Sequence, residues 1–279
     1  MILLILRKKL FSFISKNTAV FLIFIFISMN VYGSGNAYDV YSELIVQGNL
    51  PEKPFMLGEE LVYSVSYMGI SGGELILRVE DVIFYDDALC YRITATIKSN
   101  RTFSLFYRVD DYVESVYDLI GGFSRKYFIK QEEGKYRNEK SILLDYKNNK
   151  ADFHAEGKDV KEVKILERYL QDSLSVFYEI RKRDFNDKEL YEIPVISGKK
   201  EYDLKVELLG RKRLKTSIGT YNTYHVKPYL MKEGEFKDKG DLEMFITDDY
   251  RKIPVLMTLE VVFGNVRADL KKARMPVLN

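Results

Sequence analysis

Two short stretches, "VDDYVES" and "TDDYR", contain acidic residues whose type and spacing could support acid–base catalysis. Two carboxylates that share a site can raise one another's pKa, so that one acts as an acid and the other as a base. Adjacent residues of a strand, however, point to opposite faces. Asp110 and Asp111 therefore cannot serve one substrate unless a bulge intervenes. Asp248 and Asp249, which precede Tyr250 in a segment with turn chemistry, are interpreted most simply as turn residues.

Asp111 is the unusual member of this group. It shares its face of the predicted strand with Val109 and Val113, which is the more apolar side, whereas Asp110 lies on the other face. A buried carboxylate needs a partner, most plausibly an arginine. We predict that Arg137 of "EGKYR" is that partner and that the pair is structural.

Ligand binding is the alternative for these polar residues. Four residues are candidates for it: Asp110, Asp111, Arg137 and Asp248. Catalysis by this group is a weaker alternative, because a glycosidase would need two acids about 5–10 Å apart across a cleft.

Other signatures of chemistry are missing from the sequence. "GISGG" around Ser71 lies in a predicted hairpin turn, not in the strand-to-helix turn that a nucleophile elbow requires. The only two histidines, His154 and His225, lie in different predicted strands without a neighbouring Cys or His, which does not predict a metal site. No Gly-rich loop opens a helix, so nothing indicates a nucleotide. We therefore predict no catalytic residue, no metal and no cofactor.

Most of the chain that would position these side chains has apolar residues at every second position, the pattern of β-strands. "GEELVYSVSYMGISGGELILRVED" predicts a hairpin with its turn at "GISGG", where Gly72 and Gly73 would supply positive φ. The chain also holds 21 Tyr and 17 Phe but no Trp, a mixture that favours strands. The sequence predicts a mainly β protein. Its architecture is a large curved antiparallel sheet, or an open barrel or sandwich, of about a dozen strands.

One segment has helical spacing instead. In "ERYLQDSLSVFYEIRKRDF", four apolar residues recur at i, i+4, i+7 and i+8: Leu170, Leu174, Phe177 and Tyr178. Asp172 or Ser173 could cap the start. We predict one amphipathic helix near 170–183, lying against the sheet.

The N-terminus has the pattern of a secretory signal peptide. Basic residues precede the apolar run "AVFLIFIFISM", and small residues follow. We expect cleavage after Gly33, with a cut after Ala37 or an uncleaved anchor as alternatives. The run is shorter than the roughly 20 residues that span a bilayer, so no integral membrane domain is expected after cleavage. The predicted organisation is a signal peptide at 1–33, a leader at 34–54 and a single β-rich domain at 55–270, or two β halves joined by the helix.

Removal of the signal would change the charge. The full chain has 43 Lys and Arg against 41 Asp and Glu, and residues 1–33 contain four of the basic residues and none of the acidic ones. The remainder carries a formal net charge of −2, so a nucleic-acid partner is not expected. Cys90 is the only cysteine, and its apolar alternating surroundings predict a buried core residue.

Several blocks resemble, in order from about Phe55 to Leu270, the exported bacterial proteins of domain-of-unknown-function family 3108. They are "GEELVYSVSYMGISGGELILRVED", "SNRTFSLFYRVDDYVESVYD", "EGKYR", "QDSLSVFYEIR" and "GDLEMFITDDYRKIPVLM". The resemblance implies an exported, largely β protein of the Gram-negative envelope, in the periplasm or outer envelope. It also implies that six residues are family features: Asp110, Asp111, Arg137, Asp248, Asp249 and Arg251. It brings no activity with it.

Three functions remain open on the sequence. The favoured one is a non-enzymatic envelope protein that binds a lipid, acyl or glycan ligand in the concavity of the sheet. The second is a scaffold that contacts another envelope protein. The third is a hydrolase acting on envelope glycan or lipid.

Overall fold

The computed structural model describes residues 36–50, 53–155, 158–164, 168–232, 235–236, 242–260 and 264–276. The predicted signal peptide at 1–33 lies outside these residues. Within the predicted leader the chain forms a helix, α1 (Ala37–Val46), which the sequence did not predict. Asn36 caps it, because its side-chain oxygen accepts a hydrogen bond from the Asp39 amide at 3.0 Å. A division into two compact units falls between Asn49 and Leu50.

Fifteen strands of the described chain form one antiparallel sheet. They are β1 (Glu60–Tyr67), β2 (Ile70–Tyr85), β3 (Ala88–Ser99), β4 (Asp110–Asp118), β5 (Ser124–Glu133), β6 (Tyr136–Asp145), β7 (Lys150–Ala155), β8 (Lys158–Lys164), β9 (Leu190–Ser197), β10 (Lys200–Thr216), β11 (Gly219–Lys232), β12 (Glu235–Phe236), β13 (Leu242–Thr247), β14 (Pro254–Glu260) and β15 (Asn265–Arg274). The prediction of a mainly β, antiparallel architecture is confirmed.

The order of the strands places the first and the last side by side in the middle of the sheet. It runs β8-β7-β6-β5-β4-β3-β2-β1-β15-β14-β13-β11-β10-β9, with β12 paired to β11. Both sequence halves therefore belong to one continuous, curved sheet. Neighbouring strands are joined mostly by short turns, as expected from the hairpin spacing.

The strands of the sheet end on two opposite sides, and different connections join them on each side. We call "loop end" the end with the β1–β2 turn at Met68–Gly69, the β3–β4 loop at 100–109 and the β5–β6 turn at 134–135. We call "helix end" the opposite end, where the β4–β5 and β13–β14 turns lie. The start of β1 also lies at the helix end, since Glu60 pairs with Arg274 there.

The first hairpin turns earlier than predicted. Met68 and Gly69 form the turn with positive φ angles of 49° and 80°, and the other four residues of the predicted turn, "ISGG", begin β2. Gly73 is needed for another reason. A Cβ on it would lie 2.1 Å from the Lys98 carbonyl oxygen of the neighbouring strand, so only glycine fits this close approach.

The predicted helix exists but is shorter than expected. Helix α2 spans Ser175–Arg181 rather than 170–183. The preceding residues are extended, because their backbone groups bond other parts of the fold: the Leu170 carbonyl accepts from Ser124, and the Gln171 amide donates to Pro194. This segment thus connects the start of β5 with β9. Leu170 also packs in an apolar cluster with Ile142, Leu144, Ala151, Phe153 and Ile196.

Candidate functional site

A cavity of about 280 Å³ lies between helix α2 and one face of the curved sheet. Its lining is apolar almost throughout. The lining residues are Leu75, Leu77, Ala95, Ile97, Val113, Tyr127, Ser173, Leu174, Phe177, Leu242, Met257, Thr258, Leu259, Val266 and Ala268. The sequence predicted a concavity, but it could not name these residues, because the strands that supply them are far apart in the chain.

Except for Tyr127, which lies near the start of β5, the lining residues of the strands occupy the half of each strand that is nearer the loop end. Ala95 and Ile97 lie near the end of β3, and Val113 lies near the start of β4. Val266 is the second residue of β15. Phe177 of α2 and Leu174, which directly precedes the helix, line the other side. The helix therefore closes the cavity towards the helix end, and the cavity extends towards the loop end.

Only three lining residues carry a hydroxyl group: Tyr127, Ser173 and Thr258. The Tyr127 hydroxyl hydrogen-bonds Ser173, so those two groups already have partners. Burial raises the pKa of Tyr127 to about 12, and the nearby Asp172 carboxylate adds to the rise. The cavity wall therefore offers contact area to an apolar molecule and few hydrogen bonds to a polar one.

Asp172 fixes the start of α2 against the sheet. Its carboxylate accepts from the Ser115 and Ser124 hydroxyls, each at 2.5 Å, and from the backbone amides of Leu174 and Ser175 at 2.7 and 2.8 Å. Asp172 is completely buried, which raises its pKa against the effect of these four bonds. Of the two predicted caps, Asp172 is the one that bonds the first turn.

Arg181 fixes the other end of α2. Its guanidinium binds the Glu59 carboxylate through two bonds of 2.6 and 2.8 Å, and both side chains are buried. The remaining donors reach the carbonyl oxygens of Pro54, Arg251 and Lys252. The blocks "GEE", "FYEIR" and "TDDYRKIP" thus meet at one buried ion pair, which the sequence reasoning missed. A signal existed, since Arg181 lies three residues after Tyr178 and so shares the apolar face of the helix.

A second charged group lies beside this pair. Glu179 accepts hydrogen bonds from Tyr117, Lys182 and Arg183 at 3.3, 2.8 and 2.7 Å. Lys53 lies near the same group, and burial followed by repulsion from Lys182 lowers its pKa to about 8. The helix end is therefore occupied by paired charges that hold α2 in place.

Asp111 is buried on the apolar face, as its strand parity predicts, and it has a hydrogen-bonding partner. That partner is the backbone amide of Glu132 at 2.9 Å, in the β5–β6 hairpin. Burial raises the pKa of Asp111 to about 6, with the Glu132 amide opposing the rise and the neighbouring Glu133 carboxyl adding to it. Asp111 holds the hairpin to β4.

The expected ion pair between Asp111 and Arg137 does not form. Arg137 pairs with Glu132 across the hairpin, and Lys130, two residues earlier, pairs with Tyr112. Directly paired residues share a face, so Arg137 lies on the side of Tyr112, opposite to Asp111. Its exposed side chain instead donates to the carbonyl oxygens of Gly134 and Tyr136.

The remaining candidates lie apart from the cavity. Asp110 bonds Lys98 and Arg108 at 3.3 and 3.2 Å on the opposite face from Asp111. Burial alone would raise its pKa, but these two cations outweigh that effect and hold the pKa below its ordinary value. Asp248 is exposed in the β13–β14 turn. Asp249, next to it, accepts from the Arg251 and Lys252 amides and so closes that turn.

The described ranges contain no group of three or more metal-ligating side chains. His225 bonds Glu243 at 2.7 Å and stacks on Phe245. In the same ranges, every helix is too short or too polar to cross a bilayer.

Comparison with known proteins agrees with the fold. No curated protein matches the sequence. A crystal structure described as a beta-barrel-like protein of domain of unknown function DUF1849, from Brucella abortus, aligns with a TM-score of 0.54 and 10% sequence identity. The alignment covers 80% of this chain and 99% of that chain. At that identity the likeness concerns the fold alone.

The family model of DUF3108, described as a protein of unknown function, matches residues 62–271. This range includes thirteen complete strands, most of β1 and β15, and helix α2, together with both carboxyl groups of the "VDD" block. The chain therefore belongs to the DUF3108 family.

Proposed function

We propose that this protein is an exported protein of the Gram-negative cell envelope that binds the acyl chain of a lipid inside its curved sheet. The observation that carries the proposal is the apolar cavity of about 280 Å³. Its volume is near the lower end of the range of ligand sites, about 300–1,000 Å³. The signal-like pattern of residues 1–33 supports export.

The chemistry of the wall favours an acyl chain over a glycan. A sugar that loses water on binding needs hydrogen-bonding partners for its hydroxyl groups, and unpaired groups are costly. The lining offers three hydroxyls, two of which bond each other. An alkyl chain needs only the contact area that the leucine, valine and methionine side chains supply.

A hydrolase receives no comparable support from the described residues. The lining contains no acidic side chain. Asp110 lies on the opposite face with two cations, and Asp248 lies at the helix end.

A substitution that fills the cavity tests the binding. Ala95 lines the cavity and is paired with Leu77 and Val113, which also line it. We expect the full-length protein to bind cis-parinaric acid, a fluorescent fatty acid, saturably. Ala95→Phe should weaken that binding by about tenfold or more, because its ring would occupy the space of the ligand.

Thr96→Phe is the matched control, because Thr96 points to the other face of the same strand. It should bind cis-parinaric acid like the wild type. Equal binding by Ala95→Phe and the wild type, with both folded by circular dichroism, would contradict the proposal. Export is tested by the intact mass of the protein recovered from the periplasm of its own host. A mass that still includes residues 1–33 would contradict cleavage.

A further inference from the structure

The β3–β4 loop at 100–109 presents large apolar side chains to solvent. Leu105 is 80% exposed and Phe106 is 87% exposed, side by side at the tip of a short 3₁₀ turn. Single exposed apolar residues are common on protein surfaces, but a group of them marks an interaction site. Further exposed apolar side chains lie in the same loop and in the two neighbouring hairpins at the loop end: Met68, Ile70, Tyr107 and Tyr136.

The loop is held in shape by its own hydrogen bonds. The Asn100 side chain donates to the Ser71 carbonyl oxygen and accepts from the Phe103 amide, each at 2.8 Å. The Ser104 hydroxyl bonds the Asn100 carbonyl oxygen at 2.7 Å. The tip therefore keeps Leu105 and Phe106 outside while Phe103 and Ser104 face inward.

Basic residues surround this apolar tip. Arg101 and Arg108 flank it in the sequence, and both are exposed. Arg108 is partly neutralised by Asp110, which also binds Lys98. The adjacent β5–β6 turn adds exposed Lys135, and exposed Arg137 follows it in β6.

The Nε atom of Arg137 lies 3.9 Å from the Oε2 atom of Glu132, so Arg137 also has a carboxylate nearby. Across the residues that the structure describes, no carboxylate is paired with Arg101 or Lys135. Two cations beside the tip are thus available to an anionic partner.

We infer that the β3–β4 loop docks onto an anionic lipid bilayer, with Leu105 and Phe106 entering its surface. An apolar tip flanked by Arg and Lys matches the two layers of such a surface: the side chains enter the acyl region, and the cations meet the phosphates. The cavity extends towards the same end of the sheet. Docking there would bring an acyl chain next to the cavity, and only this last step rests on the proposed function.

The test places an environment-sensitive fluorophore at the loop tip of the full chain. Phe106→Cys is labelled with a thiol-reactive nitrobenzoxadiazole. Cys90 does not compete, because it is fully buried and burial raises its pKa to about 12. The matched control is Tyr250→Cys, whose side chain is 80% exposed at the helix end. The readout is local, so contacts of the chain elsewhere with the vesicle do not affect it.

Vesicles of phosphatidylcholine with phosphatidylglycerol should shift the emission of the label at position 106 to the blue, and leave that at position 250 unchanged. Vesicles of phosphatidylcholine alone should give a weaker shift. Adding Arg101→Gln and Lys135→Gln should raise the amount of anionic lipid needed for half of the shift by about thirtyfold, since each cation near such a surface contributes about one kilocalorie per mole.

Absence of a shift at position 106, or an equal shift at position 250, would overturn the inference. The loop would then serve a protein partner or none. The result is independent of the cavity, because Ala95→Phe should weaken binding of the fatty acid and leave the shift at position 106 intact. Loss of one signal without the other therefore shows which of the two proposals fails.

Discussion

Arg181 and Glu59 lie 122 residues apart in the sequence, and their side chains form a two-bond ion pair in the interior of the protein. The pair joins the C-terminal end of helix α2 to the residue that precedes β1. Through the Arg251 and Lys252 carbonyl oxygens it also reaches the β13–β14 turn. One guanidinium thus connects three segments that surround the helix end.

Glu59→Gln should be strongly destabilising, because it leaves the Arg181 charge buried without a carboxylate. We expect a loss of about 3–5 kcal/mol in the free energy of unfolding, measured by urea titration. The control is Arg267→Gln, which breaks the exposed pair of Arg267 with Asp269. It should cost less than about 1 kcal/mol. Similar losses in the two variants would mean that the buried pair contributes no more than a surface one.

Asp111→Asn should stabilise the protein at neutral pH. Folding raises the pKa of Asp111 from an ordinary 3.8 to about 6, so the folded state binds the proton more tightly and loses stability as pH rises between these values. Asn carries no charge and avoids this loss. Above pH 6, we expect the free energy of unfolding, measured by urea titration, to rise by about 1–2 kcal/mol. This gain is smaller than the whole pKa shift would give, because Asn keeps only part of the hydrogen bonding. The gain should vanish below about pH 4.

The neighbouring Asp110→Asn should behave in the opposite way. The pKa of Asp110 is lowered in the folded state, so its carboxylate contributes stability above the ordinary value of 3.8, and that stability is lost as pH falls through the folded value. Asp110→Asn should therefore be slightly less stable than the wild type at neutral pH, and equal to it in strong acid. A pH profile with the same sign for both variants would contradict their placement on opposite faces.

Replacing Asp172 should loosen helix α2. Asp172→Ala removes the acceptor of two hydroxyls and two backbone amides, and we expect a loss of about 2–4 kcal/mol in thermal unfolding. Asp172→Asn keeps one oxygen for the Leu174 and Ser175 amides and should cost less. If alanine and asparagine have the same effect, the bonds from these amides are not the source of the stability.

The two glycines after Ser71 should differ sharply. Gly73→Ala forces a Cβ to within 2.1 Å of the Lys98 carbonyl oxygen, so the pairing of β2 with β3 must shift. We expect a loss of about 1–3 kcal/mol in urea titration. At Gly72 the nearest atom would be 3.5 Å away, and Gly72→Ala should change stability by about 0.5 kcal/mol at most. A tolerated alanine at position 73 would mean that the two strands are further apart than in this structure.

The sequence was sufficient for the fold class, because period-2 alternation is a local property of each strand. It was also sufficient for the burial of Asp111, since parity within one strand decides the face. The choice of Arg137 as its partner failed because the face of Arg137 depends on the register of a different hairpin. The helix boundaries failed for a similar reason: Leu170 and Gln171 bond to Ser124 and Pro194, which are distant in the chain.

The cavity could not be predicted residue by residue. Its wall combines β2 to β5 with β13 to β15, and only the pairing of β1 with β15 brings these groups of strands together. No local pattern encodes that pairing. The burial of Arg181 could have been predicted from the sequence, because its helical spacing with Leu174 and Tyr178 places it on the apolar face.

The pairing of β1 with β15 also has a consequence for biosynthesis. Among the strands of the described sheet, β15 is the last to be synthesised, and β1 keeps an unpaired edge until Asn265–Arg274 have been made. Such an edge can pair with other chains while it waits. Completion of the sheet therefore requires the synthesis of β15, and a nascent chain that stops before β15 cannot reach the native pairing.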